Sequence, residues 1–230
     1  MFKKISELGN DVNIKILLHG DSGAGKTFCA SSAPKPLILL TERNGLVSIK
    51  HSNSEAVVAV CSTAREVREV FNQILKKGLA HFGCETLIVD SLTEIQRMFK
   101  DEIIEKSNKK LFSLQNWGEL TETMRKFMRM LRALDCSMVC IALSQYQQEE
   151  DTNRILPAFE GQKTPQEISQ YFSAVGFVYR TQEKDEKGNS TFVHKVMFEG
   201  PTRVTCKPCA PLSGVVNANM TEIFNTIRGE

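Results

Sequence analysis

Short uncharged apolar runs alternate along this chain with segments whose apolar residues recur every three or four positions. That alternation marks strands separated by helices. Ile14–Leu18 reads as a first strand and Lys26–Ser32 as a short helix closed by Pro34 and Pro36. Pro36–Leu40 and Ala56–Val60 read as two further strands. Thr63-Ala-Arg-Glu66 spells a capping box, in which hydroxyl and carboxylate each satisfy a free backbone N–H. The helix it opens carries Val67, Val70, Phe71, Ile74 and Leu75 on one face, with Gly78 as its stop.

Thr86–Asp90 is the next strand, followed by a helix turning Leu92, Ile95, Phe99 and Ile103 inward. A polar stretch, Ser107–Asn116, precedes a helix built on Leu120, Met124, Phe127, Met128 and Leu131. Met138–Leu143 contains no charge, which places it centrally in a sheet. Gln147–Pro165 has no clear period and reads as a long loop, a kind of segment that is usually functional or mobile. After a helix near Gln166–Phe172 come three strands, Gly176–Gln182, Thr191–Phe198 and Thr202–Lys207, the first two joined by the charged turn Glu183–Asn189. Met220–Arg228 closes the chain as a helix. The predicted class is α/β: a mostly parallel central sheet flanked by helices, with a C-terminal antiparallel hairpin extension. With no linker or repeat in view, residues 1–230 are expected to form a single domain.

Composition changes this picture little. Hydrophobic residues make up 41% and charged residues 24% of 230, the balance of an ordinary globular protein. The net charge of +2 points to no partner, so any basic surface has to be local. Seven cysteines, several inside apolar runs, fit reduced thiols and a cytoplasmic location. Cys206 and Cys209 form a C-x-x-C without a second pair at ligand spacing, which favours a structural role over zinc or redox chemistry. No stretch approaches the length of a membrane span, and the expectation is no membrane partner.

One motif does carry chemistry. Gly20-Asp21-Ser22-Gly23-Ala24-Gly25-Lys26-Thr27 fits G-x-x-x-x-G-K-[ST], after a predicted strand and at the start of a predicted helix. Glycines let main-chain N–H groups converge on phosphate oxygens, and the helix N-terminus adds positive potential. Residues Asp21 to Phe28 are therefore the expected nucleotide contacts. Lys26 is matched to the β- and γ-phosphates of ATP and the Thr27 hydroxyl to Mg²⁺. Leu87-Ile-Val-Asp90 places a carboxylate at a strand end, the expected second group of the metal shell. Glu42, just past Pro36–Leu40, is the candidate for activating water, and Gln145, after Met138–Leu143, for contacting the γ-phosphate.

GDSGAGKT, LILLTE with Glu42, LIVDS with Asp90 and CIALSQ with Gln145, in that order, resemble the RecA-like P-loop recombinase ATPases. The likeness covers roughly residues 12–182 and is greatest to phage-encoded ATPases of the Sak single-strand-annealing group. It implies a Mg²⁺-dependent, DNA-stimulated ATPase of DNA recombination that binds single-stranded DNA and promotes annealing or strand exchange. It also implies a homo-oligomer, ring or filament, and a single-strand-binding or replication protein as a further partner. DNA would be held by Ser107–Asn116 with Trp117, and by Gln147–Pro165. Nine basic against five acidic residues between Arg97 and Arg132 support the first segment, with Lys109, Lys110 and Trp117 as phosphate and stacking contacts. In the second, Arg154 and Lys163 oppose the acidic run Glu149-Glu150-Asp151, which departs from that pattern. Arg203 and Lys207 are candidates for reaching a neighbouring subunit's nucleotide. Two other readings stay open: an ATP-regulated loader acting on a protein, favoured by the acidic run, and a P-loop kinase. Gln147–Pro165 holds a single arginine where such a kinase needs an arginine-rich lid.

Overall fold

A computed structural model describes residues 13–107, 112–149, 152–161, 164–184 and 188–230. In chain order the elements are β1 (Lys15–Gly20), α1 (Lys26–Ser31), β2 (Pro36–Leu40), α2 (Gly45–Ser52), β3 (Val57–Val60) and α3 (Ala64–Lys77). Then follow β4 (Thr86–Asp90), α4 (Leu92–Ser107), α5 (Leu114–Ala133), β5 (Ser137–Glu149) and β6 (Thr152–Pro157). The chain ends with α6 (Thr164–Glu167), β7 (Ala174–Lys184), β8 (Ser190–Met197), β9 (Val215–Asn217) and α7 (Met220–Arg228).

The strands lie in the order β3-β2-β4-β5-β1-β7-β8-β9, with β6 paired to β5 off this path. From β3 to β7 every pairing is parallel, and the β5–β6, β7–β8 and β8–β9 pairings are antiparallel. The architecture is the α/β one expected, with the antiparallel extension at the β7 side. Strand alternation sorts the core into two layers. Leu17, Leu39, Leu87 and Cys140 pack with Phe71, Phe99 and Phe127 of α3, α4 and α5. Ile16, Ile38, Ile88 and Val139 pack on the other face with Cys29 of α1 and Phe224 of α7. Strands covered on both faces read as near-continuous apolar runs, as β2, β4 and Ile16–Leu18 of β1 do, while the buried Lys15 and His19 of β1 are satisfied by hydrogen bonds.

Helix ends follow local chemistry. The Thr63 hydroxyl accepts the Glu66 N–H, and the Glu66 carboxylate takes the N–H of Ser62, one residue earlier than a standard box. Gly78 closes α3 with φ 73°. Ser113 and Asn116 form an unforeseen reciprocal cap on α5.

Three expectations are corrected. The supposed loop Gln147–Pro165 is largely a hairpin, β5 running on to Glu149 and returning as β6. Its residues show no period because the outer part of this two-stranded arm is exposed and held by its backbone ladder, and burial begins only at Leu156 near its root. The strand predicted at Thr202–Lys207 reduces to isolated bridges, Val204 to Ile155 and Lys207 to Val175. The helix near Gln166–Phe172 is the short α6 followed by a 3-10 turn at Ile168–Tyr171. Helix α2 and strand β9 went unforeseen, the first because it buries only Ile49 and the second because it is three residues long. Among the described residues no helix is long and apolar enough to cross a membrane.

Candidate nucleotide-binding site

The site forms where β1, β2 and β4 end. Gly20 closes β1 under β7 so tightly that a Cβ there would lie 2.4 Å from the Val178 carbonyl oxygen. The loop turns through Asp21–Gly25 and enters α1 at Gly25, whose φ of 94° suits glycine alone. A Cβ on Gly25 would also strike the His194 ring at 2.5 Å.

Lys26 is buried beneath this loop, its ammonium donating to the carbonyls of Gly20 (2.9 Å) and Asp21 (2.7 Å). Burial pulls its pKa down, while Asp90, Asp21 and Glu42 favour the charged form. The Thr27 hydroxyl donates to Asp90 Oδ2 at 2.7 Å. Burial pushes the Asp90 carboxyl above its ordinary range, and Thr27 and Lys26 oppose that shift. Thr41 anchors the same strand end: its N–H and hydroxyl donate to the Asp90 carbonyl at 2.7 and 3.0 Å. Its hydroxyl oxygen also accepts the Ser91 N–H.

A cavity of about 470 Å³ opens above these groups, lined by Ser22, Gly23, Gly25, Lys26, Thr27 and Phe28. Glu42 and Asp90 line it too, with Val47, Ser48 and His51 of α2 and His194 of β8 forming further walls. Three strand ends thus deliver an ammonium, a hydroxyl and two carboxylates to one space. A hydroxyl beside a carboxylate oxygen is a hard oxygen donor pair, the kind that suits magnesium. The glycine loop with its buried ammonium suits a polyphosphate, and the aromatic and apolar walls suit a heterocyclic base. The residues present therefore fit a magnesium–nucleotide complex.

A family model described as an AAA domain, AAA_24, matches residues 12–207. The chain belongs to the AAA_24 family of AAA-type P-loop ATPases. No curated protein matches it. The matched span of this AAA domain runs from just before β1 to the bridge at Lys207, and β9 and α7 lie beyond it.

The other predicted residues of the AAA domain are distributed as follows. The Asp21 carboxylate accepts the Tyr146 hydroxyl at 3.0 Å, tying the β5–β6 hairpin to the loop. The Ala24 carbonyl accepts the His194 Nδ1–H at 2.9 Å. Gln145 pairs with Leu156 and stands outside the cavity lining, one alternation beyond Leu143. Trp117 is half-buried, edge-on to Phe112 at 4.8 Å with the Lys100 ammonium 5.4 Å from its ring, so packing occupies this face. Arg154 lies half-buried on β6 opposite Gln147. Lys109, Lys110, Glu150, Asp151 and Lys163 fall outside the described residues. The Arg203 carbonyl accepts the Ile155 N–H, and the Lys207 ammonium donates to the Phe172 carbonyl at 2.6 Å. All seven cysteines are free thiols, and burial pushes Cys206 up to about 11. Among the described residues no group of three or more His, Cys, Asp or Glu is placed to hold a metal.

Sequence reasoning missed His194, Tyr146 and the α2 wall. His194 reaches Ala24 across 170 positions, and no local pattern announces such a contact.

Proposed function

We propose that this AAA domain is a magnesium-dependent ATPase of DNA recombination, which assembles on single-stranded DNA and promotes annealing or strand exchange. The observation that carries the ATPase part is the meeting of Lys26, Thr27, Asp90 and Glu42 in one cavity. Lys26 exchanges its two loop carbonyls for β- and γ-phosphate oxygens, and Thr27 with Asp90 completes the metal shell. Magnesium, when bound, neutralises charge on the phosphate oxygens. Glu42 orients the attacking water and takes its proton.

The recombination part rests on the order of the four motifs and on the tie between loop and hairpin. Tyr146 bonds Asp21, and the buried His19 of β1 bonds Ser144 at the root of the hairpin. Rearrangement of the loop around phosphate therefore reaches the hairpin, and its inward movement would bring Gln145, which stands outside the cavity lining here, to the γ-phosphate. Hydrolysis then loosens the arm and releases DNA. Homo-oligomers, and a single-strand-binding or replication protein as partner, belong to the same reading.

ATP turnover measured with and without single-stranded DNA tests it, the expected result being several-fold stimulation and retention of DNA at low salt. Neither stimulation nor retention would sink the recombination reading and leave the ATPase intact. The acidic run at Glu149-Glu150-Asp151 favours a second reading, an ATP-regulated loader acting on a protein. Capture of the same protein partner from nuclease-treated lysate, with no DNA retention, would establish that reading instead.

A further inference from the structure

The opposite edge of the sheet, where β1 begins, carries a groove that the nucleotide site does not use. Arg125, Arg129 and Arg132 recur at four and three residues along α5 and so share one face. They line a cavity of about 450 Å³ with Glu167, Gln170 and Tyr171. A second cavity of about 620 Å³ shares Arg132, Gln170 and Tyr171 and continues to Asn13 and Lys15.

The three guanidinium groups differ in how far they are spent. Arg125 is held by Glu167 through Nε and Nη2 at 2.9–3.1 Å, which fastens α6 to α5 as the groove wall. Arg129 has only a 3.8 Å approach to Glu122 and is exposed. Arg132, also exposed, has no ion pair among the described residues and lies 5.7 Å from the centre of the Tyr171 ring. The acids facing the groove are Glu122, Glu167 and Asp135, and Asp135 already accepts the Asn13 amide at 2.6 Å. The Lys15 ammonium beneath is committed to carbonyls at the end of α5.

We propose that this groove binds the phosphate backbone of single-stranded nucleic acid through Arg129 and Arg132. This deepens the DNA reading above and rests on it. Planar guanidinium forks with unspent N–H donors match phosphate oxygens bidentately. The choice against a protein partner comes from the lining: Leu134 and Phe172 are buried, leaving only Tyr171 as a partly open apolar anchor. Protein interfaces depend on several such anchors, whereas an open cationic groove is characteristic of nucleic-acid surfaces.

The test uses the full chain, a fluorescein-labelled oligothymidylate, and anisotropy at low and moderate salt. Arg129→Glu with Arg132→Glu is expected to weaken binding on the order of tenfold or more and to flatten the salt dependence by roughly 0.7 per lost phosphate contact. The milder pair Arg129→Gln with Arg132→Gln moves the same way by less. Lys76→Glu with Lys77→Glu, the same charge change at exposed positions on α3, stays near the parent, and all variants keep the DNA-independent ATP turnover and the thermal midpoint. Should the arginine pair bind the oligonucleotide as tightly as the lysine control, the groove is wrong while the DNA reading survives. If the parent itself holds no oligonucleotide at low salt, both fall together. Loss of a polyglutamate peptide in place of the oligonucleotide would overturn the proposal in favour of a protein partner.

Discussion

The two ends of β1 hold two buried lysines in nearly the same bonding, with different consequences. At the Gly20 end, Lys26 donates to two loop carbonyls beside an open cavity, with Asp90, Asp21 and Glu42 close enough to act on its charge. At the other end, a strand length of roughly 20 Å away, Lys15 donates to the carbonyls of Leu131, Arg132 and Leu134. They lie at the C-terminus of α5, where Leu131 also takes the Leu134 N–H, so the ammonium completes the helix cap and has nothing left to offer a ligand. Burial lowers the pKa of both. A buried lysine is therefore no marker of function by itself. What separates the two is whether the acceptors can be exchanged for phosphate oxygens: loop carbonyls facing a cavity can, and helix-terminal carbonyls under a packed strand cannot.

Lys26→Ala tests the functional end most directly. Turnover should fall by about 10²–10³-fold and magnesium–ATP affinity should fall with it, while the unfolding midpoint stays near the parent's. Retention of nucleotide as tight as the parent's would remove the distinction. Glu42→Gln sharpens it within the site. Single-turnover hydrolysis should drop by about 10² with nucleotide affinity preserved, since this carboxylate acts on water and not on phosphate binding.

His19 extends the comparison to pH. Its ring is fully buried, and the Thr205 carbonyl, able only to accept, assigns the proton to Nε2 and leaves Nδ1 to accept from Ser144. Burial is the main cause that lowers its pKa from 6.5 to about 4. The unfolded chain therefore binds this proton first, so stability present above pH 6.5 is lost as pH falls toward about 4. Its share of the loss approaches about 3 kcal/mol. In urea unfolding, the difference in slope between parent and His19→Gln across that window measures it, and parallel curves would contradict the neutral, buried ring.

Lys15→Met is the matching test of the structural end. Three carbonyls at the end of α5 lose the ammonium, with Leu131 keeping the Leu134 N–H, at a cost of about 2 kcal/mol, seen as a lower urea midpoint. Turnover per folded molecule should not change. A selective loss of turnover would mean that the two ends of β1 are not as separate as their bonding indicates.

Much of this arrangement was legible in the chain itself. The strands β2 and β4 and the helix α7 lie where the apolar pattern puts them, because a doubly covered strand or an amphipathic helix leaves its period in consecutive residues. The phosphate loop was legible for the same reason: its backbone requirements fall on neighbouring positions, Gly20 to Thr27. Asp90 could be proposed because an acid ending an uninterrupted apolar run lies at the edge of a sheet. The β5–β6 hairpin could not, since an arm that is largely exposed beyond Leu156 prints no period, and α2 buries too little to show one.

Local order, then, was determined by the amino-acid sequence alone: where strands and helices run, and which loop can turn its amides toward an anion. Tertiary structure decided what stands around that loop. It set Thr27 against Asp90 across 63 positions, pressed His194 onto Ala24 across 170, and joined Tyr146 to Asp21 across 125. Those contacts depend on strand order and on the packing of β7 and β8 against β1, and the physical reason they are silent in the sequence is that no short-range periodicity encodes which strand becomes whose neighbour.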